Sequence, residues 1–215
     1  MTDNHPQIAC KGLPPQLSLD NYFNNLDALE VALMGPPKLG IKGLKRWRKN
    51  FPKKKFALAA PASVTERSLV LESCEALKPE LLVLKPGVSL TPNLENRQQV
   101  EGFLGELQRA NQAVTFIPTG VWPTNLCLDW VEKFALTVPV PLLEPDPLDE
   151  WLELKALSAS HSSYFLLRPM RKRIKIEDIE DLIDRVNQCP SAWVSFAHDN
   201  RYPDAKRFIR ELTAQ

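Results

Sequence analysis

The residues best suited to moving a proton are His198 and Asp199, adjacent in the chain and directly after an apolar run, Trp193 to Ala197. An imidazole titrates near neutrality, which makes His198 the acid/base candidate of the sequence. Glu144 or Asp199 would be its carboxylate partner if the chain were a phosphate-ester hydrolase or a sugar-phosphate isomerase. The same His-Asp step also reads as a turn in which Asp199 and Asn200 cap local backbone. Metal catalysis has little to work with: His5, His161 and His198 are the only histidines, and no His-x-x-x-His or Glu-x-x-His spacing occurs. The glycine-rich phosphate cradles and the Gly-x-Ser-x-Gly elbow are missing as well. The sequence therefore asks for no metal and no cofactor.

Anion binding is better supplied. No acidic residue lies between Glu30 and Glu66, whereas Lys38, Lys42, Lys45, Arg46, Arg48, Lys49, Lys53, Lys54 and Lys55 crowd that segment around Trp47. Lys53, Lys54 and Lys55 suit successive phosphates of a nucleic acid, with Trp47 as a stacking face. The alternative is an amphipathic helix in which Ile41, Leu44 and Trp47, spaced three apart, face the core. A second basic cluster, Arg168, Arg171, Lys172, Arg173 and Lys175, follows another apolar run. It can bind an anion, or pair with the acidic stretch carrying Glu177, Asp178, Glu180, Asp181 and Asp184. Lys85, Arg168, Arg171 and His198 are together the expected ligand-binding set, for a phosphate metabolite or a nucleic acid.

These residues need a frame, and the apolar runs supply it. Ile8 to Cys10, Ala28 to Leu33, Phe56 to Ala60, Leu81 to Leu84, Val114 to Ile117, Ala135 to Val138, Tyr164 to Leu167 and Trp193 to Ala197 read as strands. Helices with start signals lie between them: Ser18 before Tyr22, Thr65 and Glu66 before Leu69, Asn93 before Val100, Asp178 before Ile179, and Pro203 at the last. Strands joined by helices run parallel, which leaves a closed (β/α)8 barrel or an open doubly wound sheet. Counting to eight favours a TIM-barrel-like (β/α)8 domain spanning residues 1–215. Such barrels usually take about 250 residues, so a small or distorted one is expected here. Pro61, Pro86, Pro118, Pro139 and Pro169 fall where strands should stop. Residues 139–147, PVPLLEPDP, come nearest to a linker.

Composition narrows the partners. The 215 residues are 44% hydrophobic and 25% charged, with a net charge of +1, so no global field draws nucleic acid or membrane and any such binding must be local. Cys10, Cys74, Cys127 and Cys189 lie far apart with no Cys-x-x-Cys pair, which fits reduced structural thiols in a cytoplasmic protein. The polar start MTDNHPQIACKG has no signal-peptide run, and no stretch reaches the length of a membrane helix. A third expectation is a structural or partner-binding barrel without activity.

Three segments resemble the YecE-like family, the domain of unknown function 72, whose members resemble TIM barrels. Leu29-Glu30-Val31, Leu44, Trp47 and Lys55 through Pro61 are similar to its Val-Glu strand, Trp-bearing helix and Phe-x-Phe-Ala-x-Lys-x-Pro strand. Leu81 through Pro86 with Phe103-Leu104 resembles its Leu-Val-Gln-Leu-Pro-Pro strand, and Trp193 through Asp199 its closing Phe-Asn-Asn-Asp strand. With Val114-Thr115-Phe116 and Trp122 the resemblance spans nearly the whole chain. It implies a barrel frame. The family's polar positions are replaced by Ala32, Ala59, Glu66, Thr115, Ile117, Ala197 and His198.

Overall fold

The computed structural model describes residues 5–34, 39–63, 65–87, 90–119, 121–142, 158, 160–168 and 174–214. In chain order the elements are β1 (Gln7–Lys11), α1 (Leu19–Phe23), β2 (Ala28–Ala32), α2 (Ile41–Asn50), β3 (Lys55–Pro61), α3 (Arg67–Leu77), β4 (Leu81–Lys85), α4 (Leu94–Arg109), β5 (Val114–Phe116), α5 (Thr124–Phe134), β6 (Val138–Leu142), β7 (Ser163–Leu167), α6 (Ile176–Gln188), β8 (Ala192–Phe196) and α7 (Arg201–Thr213). Parallel strands separated by helices place the chain in the (β/α)8 class. It divides into two compact units, Met1–Glu30 with Val138–Gln215, and Val31–Thr137.

In the first unit β1 lies between β2 and β8, and β7 between β8 and β6, all parallel. Ser18 caps α1 by accepting from the Asn21 N–H (3.2 Å), as its position before Tyr22 predicts. The buried Tyr22 phenol then accepts from the Cys10 N–H (2.9 Å) and donates to the Ala28 carbonyl (2.8 Å), locking α1 to β1 and β2. Ile179, Leu182, Ile183 and Val186 form one buried stripe on α6, and Phe208 of α7 meets Phe196 of β8 at 5.9 Å.

β6 differs from the sequence reading. The strand runs over Val138–Leu142, not Ala135 to Val138, because Ala135 closes α5 with left-handed backbone (φ 51°). Pro139, expected to stop a strand, lies inside this one, opposite Tyr164. The explanation is the alternation of donors. Val138 donates to Ser162, so residues 138, 140 and 142 aim their N–H groups at β7, while Pro139 and Pro141 fall where no donor is used.

In the second unit β4 lies between β3 and β5, and the Leu33 N–H donates to the Ala59 carbonyl (2.8 Å). Asn93 caps α4 through the Asn96 N–H at 2.8 Å. Phe116, Trp122 and Trp130 pack mutually at 5.0 to 5.8 Å beneath α5 and the loop before it. Pro61 ends β3, and Pro86 and Pro118 follow β4 and β5, as the sequence suggests; Pro169 lies outside the described residues.

Candidate functional site

Glu30 organises the first unit. It occupies the third position of β2, fully buried, on the face it shares with Ala28. Its Oε2 accepts from the Tyr164 hydroxyl of β7 at 2.6 Å and from the Ser195 hydroxyl of β8 at 2.5 Å. Lys11, the last residue of β1, stands directly opposite Glu30 in the ladder, with its ammonium 4.0 Å from Oε1. No donor among the described residues hydrogen-bonds Oε1, although the atom is buried. Burial, and then the Glu30 charge, push the Tyr164 phenol well above its usual range, so it stays protonated and donates. The result is a carboxylate with one oxygen held by two hydroxyls and the other turned toward an ammonium.

The register places Arg168 beside this group. Cys10, Phe196 and Leu167 are level across β1, β8 and β7, so Lys11, Ala197 and Arg168 are level one residue later. Arg168 follows the alternation of Tyr164 and Leu166, and its guanidinium acts electrostatically on the Tyr164 phenol. Lys11 and Arg168 thus share the sheet face of Glu30 at the carboxyl ends of their strands, about two strand spacings or 10 Å apart in backbone.

His198 goes elsewhere. Its ring lies 6.3 Å from Phe196, on the side of β8 that carries Phe208, and its Nε2 bonds Asp204 Oδ2 of α7 at 2.7 Å. Both side chains are about nine-tenths buried. Asp204 also accepts from the Ile174 N–H at 3.4 Å, so the pair ties β8, α7 and the start of α6 together. Of the partners expected from sequence, Asp199 is exposed, and Glu144 lies outside the described residues. Sequence proximity misled here, because the carboxylate that reaches a residue turned toward a helix is one turn into that helix.

Lys85 ends β4 in the second unit, with its Nζ buried. Arg171 lies outside the described residues. Trp47 corrects the stacking expectation: it is only 8% exposed and packs on Phe56 at 6.5 Å, leaving no face for a base. Lys53 is exposed and Lys54 and Lys55 half-buried at the amino end of β3, opposite to the strand end that carries Lys85. Arg48, from the same basic run, is structural. Its guanidinium donates to the carbonyls of Leu77 (2.6 Å), Lys54 (2.9 Å), Lys78 (2.8 Å) and Pro52 (3.4 Å) and lies 4.8 Å from the Phe56 ring centre.

Sequence reasoning missed Lys11, Glu30, Tyr164 and Ser195 as a group. The available signal was polarity inside apolar runs: Glu30 interrupts Ala-Leu-Glu-Val-Ala-Leu, and a charge in a buried strand needs partners. Among the described residues no cluster of three metal-ligating side chains occurs, and no helix is long and apolar enough to cross a membrane.

No protein-family model and no curated protein matches the chain. Solved structures do. The chain is similar to 3-keto-L-gulonate-6-phosphate decarboxylase from Vibrio cholerae (TM-score 0.68, 13% identity, 97% of this chain and 98% of that one). It is similar to 3-hexulose-6-phosphate synthase from Salmonella typhimurium (TM-score 0.62, 13% identity, 97% and 98%). A phosphoribosyl anthranilate isomerase in complex with a reduced carboxyphenylamino-deoxyribulose 5-phosphate gives a TM-score of 0.56 at 11% identity over 98% and 100%. At these identities the likeness is one of fold: from end to end the chain is built as a TIM barrel.

Proposed function

We propose that the protein binds a small phosphate-bearing metabolite at the carboxyl ends of β1 and β7, with its phosphate on Arg168 and the rest of it toward Lys11. The observation that carries this reading is the level placement of two cations on the sheet face that carries a buried, hydrogen-bonded carboxylate, at the strand ends where (β/α)8 proteins place their sites. The loop after the seventh strand is a recurrent phosphate position in such folds. The sugar-phosphate chemistry in the names of similar structures, and the deoxyribulose 5-phosphate derivative held by one of them, support the same ligand class. We read the chain as a divergent YecE-like member in which Glu30 remains from the resembling Val-Glu strand. The test is a thermal-unfolding titration with ribose 5-phosphate and with free ribose. The phosphate ester raises Tm and free ribose at equal concentration does not; Arg168→Ala removes the shift. A shift that survives Arg168→Ala combined with Lys11→Met overturns the reading.

One observation favours a second reading, a surface for nucleic acid. Lys42, Lys45, Arg46 and Lys49 are exposed along α2, with Lys53 beyond it, at spacings that set them opposite Leu44 and Trp47. Binding there is phosphate contact without base stacking, so labelled single-stranded DNA must bind with a steep salt dependence. Replacement of Lys42, Lys45 and Arg46 by Glu abolishes it; salt-independent binding, or none, removes this reading.

A further inference from the structure

The proposed phosphate site leaves the Lys11–Glu30 pair unexplained. An ammonium and a carboxylate oxygen 4.0 Å apart are too far for a direct hydrogen bond. A hydroxyl oxygen about 2.8 Å from each would subtend an angle of about 90°, which suits an oxygen that accepts from one side and donates to the other. Glu30 cannot turn its other oxygen to this task, because Oε2 already accepts from Tyr164 and Ser195. Oε1 is therefore a buried anionic acceptor without a hydrogen-bond donor among the described residues, fixed in orientation and facing the ammonium. A buried carboxylate oxygen left unbonded costs free energy, and a donor from a ligand recovers it.

We propose that Lys11 and Glu30 form a hydroxyl-recognition subsite, so that the metabolite held by Arg168 is a polyhydroxylated chain, a sugar phosphate. This inference rests on the phosphate reading above and names its substrate class. The ligand hydroxyl donates to Glu30 Oε1 and accepts from the Lys11 ammonium. Tyr164 and Ser195 act as positioning residues, since they touch only the carboxylate. A phosphate ester of equal charge without hydroxyls loses this interaction and keeps the phosphate contact.

The test is calorimetric titration of ribose 5-phosphate against n-pentyl phosphate, on the intact chain and on the Glu30→Gln and Lys11→Met variants. One charge-assisted hydrogen bond predicts that the wild-type chain prefers ribose 5-phosphate about tenfold or more. Both variants bring the ratio near unity, and because the ratio is compared, any general change in phosphate affinity cancels. Lys11 is 27% exposed, so Lys11→Met carries the test even where Glu30→Gln disturbs folding. Equal wild-type affinity for the two phosphates overturns the subsite and leaves the phosphate reading standing. A preference that persists in both variants shows that hydroxyls are read elsewhere and also overturns it. Absence of binding by either phosphate overturns the phosphate reading and this inference together.

Discussion

A carboxylate taken wholly out of water loses several kcal/mol of solvation, and Glu30 regains it from Tyr164, Ser195 and the nearby Lys11 ammonium. Removing the acceptor strands two buried hydroxyls: Glu30→Ala is expected to cost about 3–5 kcal/mol in urea unfolding. Tyr164→Phe takes away one donor and is expected to cost about 1–3 kcal/mol, with the loss read the same way. A neutral response to Glu30→Ala would mean that the network contributes nothing. Of this group the sequence displays only an acidic residue in an apolar strand. That Tyr164 and Ser195, 134 and 165 residues away, meet it follows from strand register, which no local pattern encodes. His198 shows the converse, a residue whose type suggested chemistry and whose side of the strand assigns it to a helix contact with Asp204.

At the scale of elements, the basic run of α2 divides by face. Leu44 and Trp47 are buried, Arg48 binds carbonyls of the loops beside it, and the remaining cations are exposed. Trp47→Ala is expected to cost about 3–5 kcal/mol and Lys53→Ala less than about 0.5 kcal/mol in parallel denaturation curves. Arg48→Ala is expected to cost about 2–4 kcal/mol, and Arg48→Lys to recover little, since one ammonium cannot reproduce a fork bonded to four carbonyls. Strand and helix periodicity was legible in the sequence almost throughout, because burial on two faces demands long apolar runs. β6 was displaced because Pro139 reads as a breaker, and only the direction of the ladder shows that the missing N–H groups of Pro139 and Pro141 are not needed.

For the whole molecule, pH tests the burial of the thiols. Burial pushes Cys10 and Cys127 from 9.0 up to about 12. Both are raised in the folded state, so the stability they contribute is full below pH 9 and is lost as pH rises toward 12. Each thiol lowers stability by up to about 1.4 kcal/mol per pH unit within that window. Urea unfolding between about pH 8 and pH 10.5 should show the decline, together with labelling of Cys10 and Cys127 at the lower pH that waits for unfolding; rapid labelling of either thiol in the native chain would contradict it. The (β/α)8 class was itself legible from a count of eight runs, whereas of the site only Arg168 was, since the rest is assembled from β1, β2, β7 and β8. The most direct test of that assembly is calorimetric titration of ribose 5-phosphate into the wild-type chain and the Arg168→Ala variant. Saturable wild-type binding, weakened at least tenfold by Arg168→Ala, is the predicted result; no binding, or equal binding by both proteins, would contradict a phosphate site at these strand ends.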